Sequence, residues 1–151
     1  MLTVWLEYQR STLLWKCDSL QGPELVRQGI PPSSLSLLGL VRHMTYVEWN
    51  WFERVFVGSQ TPPPISLEGD PDADFNDLCP SAALTDIDRF IRQCNVSRSI
   101  VENAEDLDCV AASPDQPVSL RWIMIHMIEE YARHNGHADL LREQVDGSVG
   151  E

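Results

Sequence analysis

Basic residues are scarce in this chain. Eleven lysines and arginines stand against 23 aspartates and glutamates, a formal net charge of −12, and a surface of that sign repels phosphate backbones and anionic lipid headgroups. Neither nucleic acid nor membrane is therefore expected as a partner. Long apolar runs are missing too. Nothing approaches the ~18 uninterrupted apolar residues of a membrane span, and a hydrophobic content of 43% with a mean hydropathy of −0.21 fits a soluble globular protein. The opening MLTVWLEYQR carries Glu7 and Arg10 where an export signal needs its apolar centre, so no signal peptide is expected. The four cysteines, Cys17, Cys79, Cys94 and Cys109, form no CxxC pair and no knuckle spacing, and read as reduced thiols of a cytoplasmic protein. HExxH, glycine-rich phosphate loops and local nucleophile signatures are absent as well.

What the chain does have is helical periodicity. Its 151 residues suffice for one domain with a proper core, and no internal repeat or second domain is visible. Met1 to Leu20 predicts a first amphipathic helix built on Leu2, Leu6, Leu13, Leu14 and Cys17, with Trp5, Tyr8, Trp15 and Leu20 enlarging the apolar face, ended near Gly22-Pro23. A second helix is expected over 35–57, capped by Ser33 or Ser34, with Leu37, Leu40, Val41, Met44, Val47, Trp51 and Val55 as its core stripe and His43 on the flank. The stretch 58–84 is acidic, rich in proline and without period. It reads as a solvated connection, with draping over one end of the bundle as the other reading. Thr85 with Asp88 resembles a capping box for a third helix ending near Ala104, its apolar positions Ile87, Ile91, Cys94, Ile100 and Val101. A loop with Pro114 and Pro117 leads to Ser119, the expected cap of a fourth helix from Leu120 to Glu143, and 144–151 reads as a solvated tail. These four helices make an all-α four-helix bundle the expected fold.

The fourth helix carries the chemistry. Ile123, Met127, Glu130, His134, His137 and Leu141 lie on one face of a 3.6-residue helix, so Glu130 and His134 point inward among apolar side chains. A buried carboxylate without a partner is costly, and something must neutralise it. One reading is a buried ion pair with a histidine or arginine. The other is a divalent cation, since a carboxylate and an imidazole one turn apart converge on an ion at about 2.0–2.2 Å. Of the chain's four histidines, His43, His126, His134 and His137, only His43 is able to complete a site from another helix. The expected site is therefore His43, Glu130 and His134, three protein ligands with an open position, the mark of a catalytic rather than a structural zinc. His137 is assigned first to orienting a ligand, with roles as a base or a fourth ligand left open. His126 is expected to the side of the stripe, in a surface or packing role. Two imidazoles and a carboxylate favour Zn2+, and also suit Ni2+ and Fe2+.

Three segments, RSTLLWKCDSL at 10–20, PPSSLSLLGLVRHMTYVEWNWFERVFVG at 31–58 and SLRWIMIHMIEEYARHNGHADLLRE at 119–143, resemble the DinB/YfiT-like superfamily of metalloenzymes, specifically its actinobacterial branch. The resemblance covers essentially the whole chain. It implies a four-helix bundle, a homodimer, and a divalent metal on one histidine of helix two and two residues one turn apart on a late helix. In many members that late pair is two histidines. A glutamate there, Glu130, departs from that pattern and is similar to the bundle domain of the mycothiol-dependent maleylpyruvate isomerases. Those isomerases carry an extra C-terminal domain without a counterpart here, so the resemblance implies the thiol rather than maleylpyruvate. The implied activity is a thiol-dependent S-transferase or isomerase using a low-molecular-weight thiol such as mycothiol and a small-molecule electrophile. The alternative is a non-catalytic dimeric metal-binding or stress-response module.

Overall fold

The computed structural model describes residues 1–150, and its four long helices pack as an all-α bundle. Helix α1 spans Leu2–Cys17 and α2 is a single turn, Gly22–Leu25. Helix α3, Leu37–Glu48, widens without a break into a π-helical segment, Trp49–Val57. A short α4, Ala73–Asn76, and a 3-10 turn, Pro80–Ala82, precede α5, Ala83–Asn103, and the chain closes with α6, Leu120–Asp146. Among the described residues no helix is long and apolar enough to cross a membrane. Leu6 and Leu13 from α1, Leu40 and Met44 from α3, Phe90 from α5 and Ile123 and Met127 from α6 meet in one apolar core.

Side-chain contacts fix the helix directions. Asn135 of α6 bonds the Gln9 carbonyl, and Arg142 bonds the Lys16 carbonyl, at 3.0 and 3.1 Å, so α1 and α6 run parallel. Arg42 meets Asp86 and Glu48 meets Cys94, so α3 and α5 also run parallel. His43 lies against His134, Glu48 against Tyr131 and Trp51 against Trp122, which makes α3 antiparallel to α6. A parallel α3–α5 pair has a strict consequence. After a helical run of 21 residues over 37–57, about 30 Å at 1.5 Å per residue, the chain must travel back along the bundle before α5 can begin.

That return corrects the expectation of a solvated 58–84 connection. Ile65 and Asp74 are buried, and Phe75 lies so close to α3 that a Cβ on Gly39 would stand 2.9 Å from its ring. Three local expectations also change. The cap of α3 is Ser36, whose Oγ accepts from the Gly39 amide at 3.1 Å, while the Ser33 hydroxyl takes the Leu35 amide instead. Helix α5 begins at Ala83, ahead of Thr85, with no side-chain cap; the chain enters it through the 3-10 turn, and the Ala83 amide donates to the Pro80 carbonyl. Gly22-Pro23, expected as a stop, instead starts α2, held by a capping box between Gln21 and Glu24. Ser119 caps α6 as expected, accepting from the Trp122 amide at 3.2 Å, and α6 continues past Glu143 to Asp146, where Gly147 takes the left-handed φ of 80° that ends it.

The loop before α6 closes both neighbouring helix ends. The Ala112 and Ser113 amides donate to the Phe56 and Val55 carbonyls at 2.9 and 3.1 Å, so the orphan acceptors at the end of the π segment are used. The Leu120 and Arg121 amides donate in turn to the Cys109 and Leu107 carbonyls.

One feature of the core has no counterpart among the sequence expectations. Arg10 and Glu48 are both buried, and the guanidinium donates to both carboxylate oxygens at 2.8 and 2.7 Å. The buried Tyr131 hydroxyl donates to Glu48 Oε1 at 2.7 Å. Arg10 also pairs with Glu7, which Arg98 grips from α5 with two bonds, so an ionic chain crosses from α5 through α1 to α3 and α6. Trp5, Tyr8 and Trp15, expected to enlarge the core face of α1, are instead about half exposed. The inward positions belong instead to Arg10 and Lys16, the latter paired with Asp139 at 2.7 Å.

Candidate metal centre

Where α3 and α6 cross, His43, Glu130 and His134 each present one ligand atom, and these atoms lie within 4.8 Å of one another. The spacing of four residues stacks Glu130 and His134 on one face of α6, while the antiparallel crossing brings His43 over them. The imidazoles of His43 and His134 have ring centroids 4.8 Å apart at an interplanar angle of 64°. All three side chains are mostly withdrawn from solvent.

The donor set fits a divalent ion. Glu130 Oε2 stands 3.6 Å from His134 Nε2, near the ~3.4 Å edge of a tetrahedron whose ligands lie about 2.1 Å from its centre. That separation is too long for a hydrogen bond, and its other oxygen is 3.5 Å from His126 Nε2. A mostly buried carboxylate thus sits between ring nitrogens without bonding either. His43 Nδ1 is engaged at 2.8 Å by Asp74 Oδ2, which leaves Nε2 as its free atom. Burial, with the neighbouring His43 ring second, depresses the His134 pKa to about 4, against a smaller opposing effect of Glu130. Its ring is therefore neutral at neutral pH and keeps a lone pair for coordination.

The other two histidines flank this group on opposite sides. His137 lies one turn further along α6, its ring centroid 5.4 Å from that of His134, and it is outside the converging set. Its Nδ1 is buried without a hydrogen-bond partner among the described residues. With Ile30, Ser33, Leu35, Leu140 and Leu141 it lines a largely apolar cavity of about 240 Å³. His126 does pack, as expected, stacked on Trp122 and edge-on to Trp51. It is nevertheless within reach of Glu130, because it stands four residues before Glu130 on α6, just as Glu130 does before His134.

Asp74 escaped the sequence reading. It lies in a stretch without periodicity, and no local signal marks it. The parallel α3–α5 pairing is what returns this stretch to the end of α3 where His43 resides. Trp51 was legible only as a position of the core stripe, and Trp122 has no place in the sequence reading.

The chain is thus an all-helical bundle in which two imidazoles and a carboxylate, a set able to hold a divalent ion, converge between its second and last long helices. The family model of the mycothiol S-transferases, a DinB/YfiT-like family, matches residues 1–147. The chain belongs to that family. No curated protein and no solved structure gives a significant match.

Proposed function

We propose that this protein is a divalent-metal-dependent thiol S-transferase, with a zinc-type ion on His43, Glu130 and His134 and mycothiol as the thiol. The observation that carries the reading is the convergence of those three ligand atoms within 4.8 Å in a chain whose family is named for transfer of that thiol. A divalent ion held by the His43 and His134 imidazoles and the Glu130 carboxylate would keep net positive charge and would supply the acidity that favours a thiolate over a thiol.

The rest falls to the chain's own side chains. Glu130 supplies the one negative charge of the donor set, and His134, neutral because it is buried, adds none. His137 Nδ1, buried and unpartnered, is the atom we assign to take up the thiol proton. The cavity beside it, walled by Ile30, Leu35, Leu140 and Leu141, offers an apolar surface to a small electrophile. The thiolate sulfur then bonds the electrophilic carbon, and the displaced group leaves with the proton, or the proton is returned to the adduct if nothing is displaced.

We also assign the outer face of α1 to a homodimer contact. Val4, Trp5, Tyr8 and Trp15 are exposed along it, while of the helix's charged residues Arg10 and Lys16 are buried and paired and Glu7 is half-buried between Arg10 and Arg98. On a chain of net charge −12, such a face meets a second copy without bringing like charges together.

The test is metal analysis of the full chain purified without an affinity tag, followed by thiol consumption with mycothiol and a panel of electrophiles. One divalent ion per chain and thiol-dependent turnover are expected, and His134→Ala should remove both. Full metal content in His134→Ala would overturn the assigned ligands. Metal without turnover across the panel would favour a non-catalytic metal-binding module, and metal identity decides among zinc, nickel and ferrous iron.

A further inference from the structure

We propose that Asp74, delivered by the crossover between α3 and α5, is a positioning residue that fixes the ring orientation and tautomer of His43 at the metal centre. This rests on the metal reading above. The carboxylate oxygen at 2.8 Å from His43 Nδ1 accepts a hydrogen bond, so Nδ1 carries the proton and Nε2 presents its lone pair to Glu130 and His134. A carboxylate behind a ligating histidine is a recurring device that sets the ring and raises its strength as a ligand.

Several independent contacts aim that one oxygen. Phe75 stacks on the His43 ring, centroids 5.1 Å apart and planes at 28°. Arg42, the residue before His43, donates to the Ala73 and Asp74 carbonyls at 3.0 and 3.1 Å and to Asp86 at 3.2 Å. Gly39, one turn earlier, leaves the space that Phe75 occupies. Residues 39, 42 and 43 thus form one docking face for 73–75.

A purely structural role for Asp74 accounts for less. The anchoring bonds from Arg42 go to backbone oxygens and do not need the Asp74 side chain. That side chain is buried, with Oδ1 unpartnered among the described residues, an arrangement that costs stability. Its one hydrogen bond is the one to His43.

The test uses the full chain stripped of metal, with Asp74→Asn and Asp74→Ala. Zinc affinity is measured by competition with a chromophoric chelator, cobalt(II) spectra report ligand geometry, and thermal unfolding of the metal-free protein reports structure. Asparagine keeps an acceptor oxygen and loses the charge. Both variants are expected to bind zinc about 10–100-fold more weakly, alanine more so, with an altered cobalt spectrum and, for Asp74→Asn, an unchanged metal-free melting temperature. Zinc affinity within about twofold of the unaltered chain in both variants would overturn the role of Asp74 and leave the metal site standing. So would a loss of affinity that merely tracks a loss of metal-free stability. An unaltered chain that takes up no zinc would overturn the metal site and Asp74's role with it.

Discussion

Glu48→Ala should be among the most damaging single substitutions in this protein, although residue 48 lies outside the converging ligand set. Glu48 is fully buried and accepts three hydrogen bonds shorter than 2.9 Å, two from Arg10 and one from Tyr131. Its removal leaves a guanidinium that is only 3% exposed without its principal partner, and breaking a buried pair in this way costs about 3–5 kcal/mol. The stranded Tyr131 hydroxyl adds about 1–3 kcal/mol, while the surviving Arg10–Glu7 contact at 2.6 Å offsets part of the first cost. A net loss of about 4 kcal/mol is expected, a large share of the ~5–15 kcal/mol that holds a domain folded. The informative comparison is a variant carrying Arg10→Met, Glu48→Met and Tyr131→Phe together. It removes the three buried polar members at once and leaves the Glu7–Arg98 pair, and apolar replacement of a buried pair is often neutral or stabilising. Urea unfolding followed by tryptophan fluorescence measures both, at fixed metal content. Strong non-additivity is expected, with the triple variant recovering most of the loss. A Glu48→Ala cost below about 1 kcal/mol, or a triple variant whose cost is the sum of its parts, would refute this account of the core.

Three further outcomes follow from the same coordinates. Cys79 is exposed and its thiol pKa is lowered by hydrogen bonds from Ser81, whereas burial pushes Cys17 up to about 12 and Cys94 higher still; alkylation followed by peptide mass spectrometry should mark Cys79 first and leave Cys17 and Cys94 unlabelled until the chain unfolds. In metal-free protein, His134 has a folded pKa of about 4 against 6.5 unfolded, so the unfolded chain binds the extra proton between those values. Stability should fall as pH drops from about 6.5 to 4 by at most ~3 kcal/mol and level off below, and His134→Gln should flatten that slope in denaturant titrations at several pH values. Trp5→Glu combined with Trp15→Glu should convert a dimer to a monomer by light scattering, with little change in metal content; an unchanged molar mass would refute the assigned contact face.

Much of this molecule was legible because its signals are local. The apolar spacing of α6 marked Glu130 and His134 as inward, and the scarcity of histidine singled out His43 on another helix. The same reasoning reaches Glu48, four residues after Met44 and three before Trp51 on the stripe of α3, so the ionic core was readable in principle. Its partner Arg10 was harder to see, because hydropathy ranks Trp5, Tyr8 and Trp15 above arginine for burial and says nothing of a carboxylate arriving from 38 residues away. The choice of Ser36 over Ser33 and Ser34 goes with a helix start two residues later, at Leu37 instead of Leu35. Asp74 was beyond reach, since its placement follows from the relative direction of α3 and α5, which no short window of sequence encodes.

The backward run of the chain between α3 and α5 has a practical meaning for variation in this protein. Between its buried residues Ile65 and Asp74 that run is mostly exposed, so its length there can be trimmed or extended with modest entropic consequence. Changes there would alter how firmly the carboxylate at position 74 is offered to its histidine while leaving the helical framework alone. On the proposed metal reading, ion retention and resistance to unfolding then become two properties that drift or engineering can adjust separately.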